Sequence, residues 1–417
     1  MAEGFKFIHA SDLHLDRPMQ GLTELPAPLK PALVEAACLA AKKIFDLAIN
    51  ERVDFILLSG GLFDHRRTAP RSRAFLLNQF ERLAERKIKV YWSAAEAANW
   101  PAKSELPDNV FRFSSPSIEV LTHEKNGQAL ASIHGACSDL PPCSFSDFSA
   151  DPAAPFAVAL TAGEFPTGEI KSSHIRYWAL GGRSMTYRRE TEYGVIAYPG
   201  TPQGRCMEET GHRGCLLGHV SSIGELKMEV VETSAIRWLQ QKITVPEEVT
   251  DERLKNIFLD RAIAIANEPS QCNTMVEWHL LTTGTIHQDL RQQERQEHLV
   301  DWLRTEFGEG QETWLWTTDL RVEPPDFLPQ AWCEEDTILG EYLRAIETHQ
   351  GNSNPLSLDA YLPDSLPSGM TELRTIRPEQ VAEIFRHAVL LGVDCMGPST
   401  GPAGRGVNVV KSSSTDH

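Results

Sequence analysis

The chain has 417 residues, which is enough for two or three domains with a core each and excludes a peptide or a single small binding module. Apolar residues make up 41% and charged residues 23%, which is ordinary globular usage and excludes a disordered chain. Acidic side chains outnumber basic ones by 57 to 40, giving a net charge of −17, so any nucleic-acid contact would need a local basic groove.

The first ninety residues predict alternating strands and helices. An apolar run at 5–10 stops at Ser11, helical periodicity follows over 31–50, and a second apolar run at 54–59 ends at Gly60. A helix over 71–86 and a strand over 88–92 continue the pattern. This order is typical of parallel strands whose faces are covered by helices.

The later sequence divides into three further segments. Short strands bounded by Gly, Pro, Ser or Asp continue to residue 231, so we assign 1–232 to a two-sheet α/β sandwich flanked by helices. Longer elements over 233–330 predict a smaller α/β cap domain, and 331–394 predicts C-terminal helices with a polar linker. The Gly-, Pro- and Ser-rich tail, 395–417, is predicted to be disordered.

Signals for location and redox chemistry are weak in this sequence. The amino terminus has no basic region followed by an apolar run, and no stretch approaches 18 apolar residues, so we expect a cytoplasmic protein without membrane contact. The eight cysteines are scattered without a C-x-x-C pair, which favours buried or idle thiols over zinc or a redox dithiol.

Asp12 and His14 directly follow the first predicted strand. A carboxylate and an imidazole two residues apart at a strand end can converge on one metal ion at the carboxyl edge of a sheet. The competing interpretation is a loop with a capping Asp and a packed His.

Seven blocks of sequence carry a resemblance to a known family. They are FIHASDLHLD (7–16), LLSGGLFD (57–64), LPDNV (106–110), SIHGACSD (132–139), YWALGG (177–182), YPGTPQGR (198–205) and ETGHRGCLL (209–217). Through them the chain resembles the calcineurin-like metallophosphoesterases, and among these the bacterial DNA double-strand-break nuclease subunits of the SbcD and YhaO type. The resemblance covers most of residues 5–235.

The resemblance implies two divalent cations held by five loops, with Asp12 and His14 as ligands of the first cation. At the second loop, Gly61 stands where the family has the Asp that bridges both cations. Asp64 is present, but it lies outside the ligand position, where capping of the next helix is the simpler interpretation.

The remaining three loops also depart from the family's ligand pattern. The substituted positions are Glu96, Ala97, Ala98, Thr161, Gly182 and Ser184. Glu96 could bind a cation, although a solvated loop Glu is the simpler interpretation. Arg183, between the last two positions, would oppose a metal and favour an anion.

Two ligands without the bridging carboxylate do not hold a dinuclear centre, so we predict a degenerate site, no cofactor and no catalysis by the family mechanism. The resemblance implies an ancestral nuclease acting on DNA ends and an SMC-like ATPase as partner. We therefore predict a scaffold or regulatory subunit of a DNA-processing complex, and a homodimer is compatible with this prediction.

Two other functions stay open at this point. One is an active phosphoesterase that uses Mn²⁺ or another divalent cation at a rebuilt site of Asp12, His14 and either Asp64 or Glu96. The other is a nucleotide or small-anion binder that uses Arg183 in the pocket left by the substituted ligands.

The helix predicted over 377–391 carries an apolar stripe with Val381, Ile384 and Phe385. We predict that this stripe binds a partner, because the helix follows a polar linker that would let it reach a groove. The alternative is that the stripe packs on the cap domain.

Overall fold

The computed structural model describes most of the chain. The described residues are 4–22, 27–63, 70–93, 105–115, 117–137, 145–165, 174–191, 194–246, 248–268, 272–282, 284–308, 313–323, 327–329, 333–351, 381, 384–385, 387–389, 392 and 406–408. The chain divides into two compact units. The first contains Met1–Gln240, Ala262–Glu277 and Leu303–Thr318, and the second contains Gln241–Arg261, Trp278–Trp302 and Asp319–His417.

Seventeen strands and six helices are numbered here in chain order within the described residues. The strands are β1 Phe5–Ser11, β2 Phe55–Ser59, β3 Lys89–Ser93, β4 Val110–Phe113, β5 Glu119–Lys125, β6 Gln128–Gly135, β7 Phe156–Ala162, β8 Tyr177–Gly181, β9 Tyr187–Thr191, β10 Gly194–Tyr198, β11 Gly214–Val220, β12 Leu226–Glu232, β13 Ile236–Thr244, β14 Asn273–Leu281, β15 Leu315–Glu323, β16 Phe327–Pro329 and β17 Gly406–Asn408. The helices are α1 Lys30–Glu51, α2 Pro70–Glu85, α3 Asp251–Ala266, α4 Gly284–Leu290, α5 Gln293–Phe307 and α6 Ile338–Gly351.

The first large sheet has the strand order β12-β11-β1-β2-β3-β4. Strands β1 to β4 are parallel, while β11 and β12 run antiparallel to their neighbours. Alternate residues of β1 point to opposite faces, so Ile8 packs with the residues of α1 and α2, whereas Phe7 packs toward the second sheet. Both faces of β1 are therefore largely buried, as its short, mainly apolar run predicted.

The second large sheet has the order β5-β6-β7-β8-β10-β9. Its four inner strands are parallel, and β5 and β9 are antiparallel edge strands. Aromatic and aliphatic side chains fill the space between the sheets, among them Phe7, Phe55, Tyr91, Val158 and Tyr177. The predicted two-sheet α/β sandwich flanked by helices is confirmed.

The elements after β12 are fewer and longer. Strands β13, β14 and β15 form a three-stranded sheet in that order, and β16 pairs with β17. In the second unit, Phe258 of α3 packs edge-on against Trp278 at a centroid distance of 5.2 Å. None of the helices in the described ranges has the length and apolar character of a membrane span.

Some predicted elements differ from the observed ones. The charged sequence over 288–307 predicts a single helix. The structure has two helices there, α4 and α5, separated by a tight turn in which the Gln292 amide donates to the Asp289 carbonyl at 3.1 Å. Strands β9 and β15 were not predicted. The domain boundaries at 232, 330 and 394 stay predictions, and of the predicted disordered tail only 406–408, which form β17, lie within the described residues.

Candidate functional site

The candidate site lies where β1, β2 and β8 end. Strands β1 and β2 are parallel and in register, with Ser11 beside Ser59, so their carboxyl ends open at the same edge of the first sheet. Strand β8 of the second sheet comes very close at this point. A Cβ at Gly181 would lie 2.6 Å from the Gly60 amide nitrogen, so only glycine fits at position 181.

Asp12 joins these three strand ends through its carboxylate. Its Oδ1 accepts the Gly61 amide at 3.0 Å, and its Oδ2 accepts the Gly182 amide at 2.7 Å. The Asp12 backbone is left-handed, with φ 50°, and its own amide donates to the Ser59 carbonyl. Burial raises the pKa of the Asp12 carboxyl, and the hydrogen bonds from Gly182 and Gly61 oppose that rise.

His14 follows on the same loop, also with a positive φ of 42°. Its amide donates to the Gly61 carbonyl at 3.2 Å. A Cβ at Gly61 would lie 3.1 Å from His14 Cε1, so the imidazole is stacked close to position 61. The structure thus brings Asp12 and His14 to the same residue of the second loop, Gly61.

The substituted ligand positions within the described residues carry short or no side chains toward this edge. Thr161 is buried near the end of β7, and Gly182 has φ 96°, which side chains rarely adopt. The Ser184 carbonyl accepts the Thr201 amide at 3.1 Å and Arg213 Nη1 at 2.5 Å. The loop after β8 is therefore held at its Ser184 carbonyl by the Thr201 amide and the Arg213 side chain.

Behind this loop lies a buried polar network. Arg205 binds the Glu209 carboxylate with its Nη2 at 2.8 Å and with its main-chain amide at 2.9 Å. Arg213 donates from Nε to the Glu209 carbonyl and from Nη1 to Thr201 Oγ1. Burial alone would raise the pKa of Glu209, but the hydrogen bonds and charge of Arg205 lower it. The sequence showed these residues only as motif blocks, without a role.

Arg183 stacks on aromatic rings. Its guanidinium lies 4.8 Å from the Tyr198 ring centroid and 5.1 Å from that of Tyr187. It also approaches the exposed Glu164 at 3.9 Å. Among the described residues, the arginine whose charge acts on Asp12 is Arg205.

Two buried histidines near the site are hydrogen-bonded within the sheets. His9 contacts the Tyr177 hydroxyl through Nδ1 at 2.8 Å and Ser59 Oγ through Nε2 at 3.0 Å. Burial lowers the pKa of His9 to about 3. His134 Nε2 contacts Ser132 Oγ at 3.2 Å, and burial lowers its pKa as well. Both imidazoles are neutral at pH 7.

The donor set on the described loops does not fit a centre of two divalent cations, each of which takes about six donors. Both oxygens of Asp12 already accept main-chain N–H groups, which set the positive ends of peptide dipoles against the atoms that would bind a cation. Within the ranges that the structure describes, no three His, Cys, Asp or Glu side chains form a group that could hold a metal ion.

The other predicted site residues are placed as follows. Asp64 and Glu96 lie outside the described residues. Near the carboxyl end, Phe385 and Val389 pack with Leu339 and other apolar residues of α6. Ile384 is 41% exposed, so it faces away from that cluster.

The two-sheet architecture, with loops converging at the ends of parallel strands, is consistent with a metallophosphoesterase sandwich. The chain is 32% identical over 266 residues to the uncharacterized metallophosphoesterase YhaO of Bacillus subtilis (strain 168). The aligned stretch is 59% of this chain and 65% of that protein's length. This similarity supports the metallophosphoesterase family for the chain, while no family model matches it.

Proposed function

We propose that this chain is a metallophosphoesterase-family protein that does not hydrolyse phosphodiesters and acts in the cytoplasm as a scaffold or regulatory subunit of a DNA-processing complex. The observation that carries the loss of catalysis is the Asp12 carboxylate, held by the amides of Gly61 and Gly182. In the family pattern these two positions supply metal ligands. Here they supply main-chain hydrogen-bond donors to Asp12, which is one of the two family ligands that the sequence retains.

Hydrolysis by the family mechanism depends on ligands at these positions, so their replacement supports the proposed loss of catalysis. Two-metal phosphodiester cleavage needs a cation to lower the pKa of the attacking water and a second to stabilise the leaving oxygen. Gly61 has no side-chain oxygen to bridge the cations, and Thr161 and Ser184 lack the imidazole nitrogens of the family's ligands. Within the described residues, no group of three His, Cys, Asp or Glu side chains could hold such a cation.

The test of inactivity is hydrolysis of bis-p-nitrophenyl phosphate and of a linear DNA duplex, each with added Mn²⁺. We expect no turnover above a matched Asp12→Ala variant. Mn²⁺-dependent turnover that disappears in Asp12→Ala would overturn the proposal and favour a rebuilt active site. Circular dichroism of wild type and Asp12→Ala under the assay conditions shows that both proteins are folded.

The complex itself is proposed from the sequence resemblance, which implies an SMC-like ATPase partner. The exposed Ile384 marks the part of the C-terminal helix available for such a partner, whereas Phe385 and Val389 pack on α6. We expect the co-expressed ATPase to co-purify with the wild-type chain and to be lost from an Ile384→Asp variant of unchanged melting temperature. Retention of the ATPase by that variant would move the partner surface elsewhere.

A further inference from the structure

The region around β9, at one edge of the second sheet, is positively charged on an otherwise acidic chain. Residues 174–191 contain four arginines and a single glutamate, whereas the whole chain carries a net charge of −17. An arginine cluster of this kind on an acidic protein is the local basic surface that a nucleic-acid contact requires.

The register of β9 against β10 places two of these residues on the outer face of the sheet. Tyr187 pairs with Tyr198 and Arg189 pairs with Ile196. Tyr198 and Ile196 both belong to the apolar cluster on the outer side of the sheet. Tyr187 and Arg189 therefore share this face, where Tyr187 is 39% exposed.

Arg183 lies just before the start of β9 and extends the same face. Its guanidinium lies 5.1 Å from the ring centroid of Tyr187 and 4.8 Å from that of Tyr198, and 37% of the side chain stays exposed. Its acidic neighbour Glu164 is 87% exposed and 3.9 Å away, so water screens this pair strongly. Arg183 thus keeps most of its charge available to a ligand.

On the opposite face of β9, the arginine charge is paired with a carboxylate. Arg188 pairs with Ala197, which faces the space between the sheets, and its Nη2 binds Glu190 Oε1 at 3.0 Å. The side chain of Arg189, by contrast, has no hydrogen bond or ion pair within the described part of the chain. Arg188 and Arg189 therefore lie on opposite faces of β9, and only the charge of Arg188 is paired with a carboxylate within the described residues.

Arg176 continues the positive row at the other end of β10. It immediately precedes β8, is exposed, and its carbonyl accepts the Val195 amide at the start of β10. Four residues of β10 separate the two ends of this face, which corresponds to roughly 13 Å. Arg176, Arg189 and Arg183 are spread along that length, with Tyr187 among them.

We propose that this outer β9 face, defined by Arg176, Arg183, Tyr187 and Arg189, binds single-stranded DNA without sequence preference. Spaced guanidinium groups neutralise a phosphodiester backbone, and an exposed aromatic ring stacks on a base. A duplex hides its bases, so the ring selects a single strand. The inference rests on the proposed function only in choosing DNA over RNA.

The alternative role of the charges on β9 is only to keep this edge strand from pairing with another chain. Protection of an edge depends on charge and not on which face carries it. Binding by the outer face predicts instead that Arg189 matters and Arg188 does not. These two adjacent arginines give a matched pair of variants.

The experiment is fluorescence anisotropy of a fluorescein-labelled oligothymidylate with the full chain in EDTA, from about 50 mM salt upward. Three phosphate contacts predict a slope of log K against log salt of about −2. We expect Arg189→Gln to weaken binding about eightfold at about 50 mM salt and to reduce the slope by about 0.7, while Arg188→Gln changes neither. Tyr187→Ala should weaken binding about tenfold, and Tyr187→Phe should retain it.

Equal losses in Arg188→Gln and Arg189→Gln would overturn the proposed face, as would wild-type binding too weak to detect at low salt. Unchanged melting temperatures of the variants show that the fold is intact. Anisotropy in EDTA involves neither hydrolysis nor the ATPase. Its failure is therefore distinguishable from failure of the proposed function.

Discussion

Replacing Asp12 by Ala should destabilise the fold, although no metal is invoked. Two hydrogen bonds to main-chain amides are lost, and each is worth about 1 kcal/mol net. The left-handed backbone at φ 50° adds about 1 kcal/mol for a residue with a Cβ and no polar side chain. Burial of the carboxylate, which raises its pKa, subtracts from this sum, so we expect a loss of about 2 kcal/mol.

Two further variants separate these contributions. Asp12→Gly loses the same hydrogen bonds but adopts a positive φ freely, so it should be more stable than Asp12→Ala by a few tenths to about 1 kcal/mol. Asp12→Asn keeps one oxygen acceptor and tolerates the left-handed region, so it should lose about half as much as Asp12→Ala. Each value comes from urea unfolding followed by circular dichroism.

The metal dependence of these stabilities tests the reasoning directly. We expect the same differences in EDTA and in Mn²⁺, because a ligand stabilises the folded state only if it binds to it. A wild type that gains several degrees in melting temperature with Mn²⁺, where Asp12→Ala does not, would refute the structural role. So would an Asp12→Ala variant within 0.5 kcal/mol of wild type in EDTA, a threshold set by the scatter of neutral surface substitutions, about 0.5 kcal/mol.

Three other predictions concern the sandwich and the C-terminal helix. The pKa of His9 is lowered from 6.5 to about 3, so its contribution to stability is fully present above pH 6.5 and is lost as the pH falls. Between pH 7 and pH 5, the free energy of unfolding of wild type should therefore fall by about 2 kcal/mol, and that of His9→Gln should not. Parallel pH profiles of the two proteins would contradict this. Gly60→Ala places a Cβ 2.1 Å from Asp12 Oδ1 at φ 72° and should lower the free energy of unfolding by more than about 3 kcal/mol. Gly127→Ala, at φ 76° with open space around it, should lower it by about 1 kcal/mol in the same unfolding assay. Similar values for both variants would show that the loop around Asp12 moves to accommodate the Cβ. Val389→Asp buries a charge against α6 and should lower the melting temperature by several degrees, while Ile384→Asp should leave it within about 1 °C; an equal effect would contradict the packing.

The sandwich could be predicted because its central strands are buried on both faces. Residues 55–58 form an unbroken apolar run, and such a run between a helix and a Gly-Gly turn is typical of a buried parallel strand. Strand β9 could not be predicted in the same way. Its sequence, YRRET, has no buried face to produce an alternating pattern, and its strand conformation depends on hydrogen bonds to β10.

The candidate site was predictable in position but not in its bonding. The placement of Asp12 at the end of β1 follows from the strand pattern. Its partners are main-chain amides of Gly61 and Gly182, and an amide has no signature in a sequence. The stacking of Arg183 on Tyr187 likewise depends on the unpredicted β9. Sequence alone therefore assigned Arg183 to the pocket at Asp12, whereas its side chain stacks on tyrosines at the edge of the sheet.

The hydrogen bond from Arg213 to the Ser184 carbonyl has a consequence for how such a chain can evolve. Where an ion alone orders a ligand loop, losing one ligand also loses the shape of the loop. Here the backbone after β8 is held at the Ser184 carbonyl by buried Arg213 and by Thr201. Side chains at 183 and 184 can then change while the backbone keeps its path, whereas the φ of 96° favours glycine at 182. A fold with this property can lose its original catalytic activity and still present the same loop surface to a different ligand.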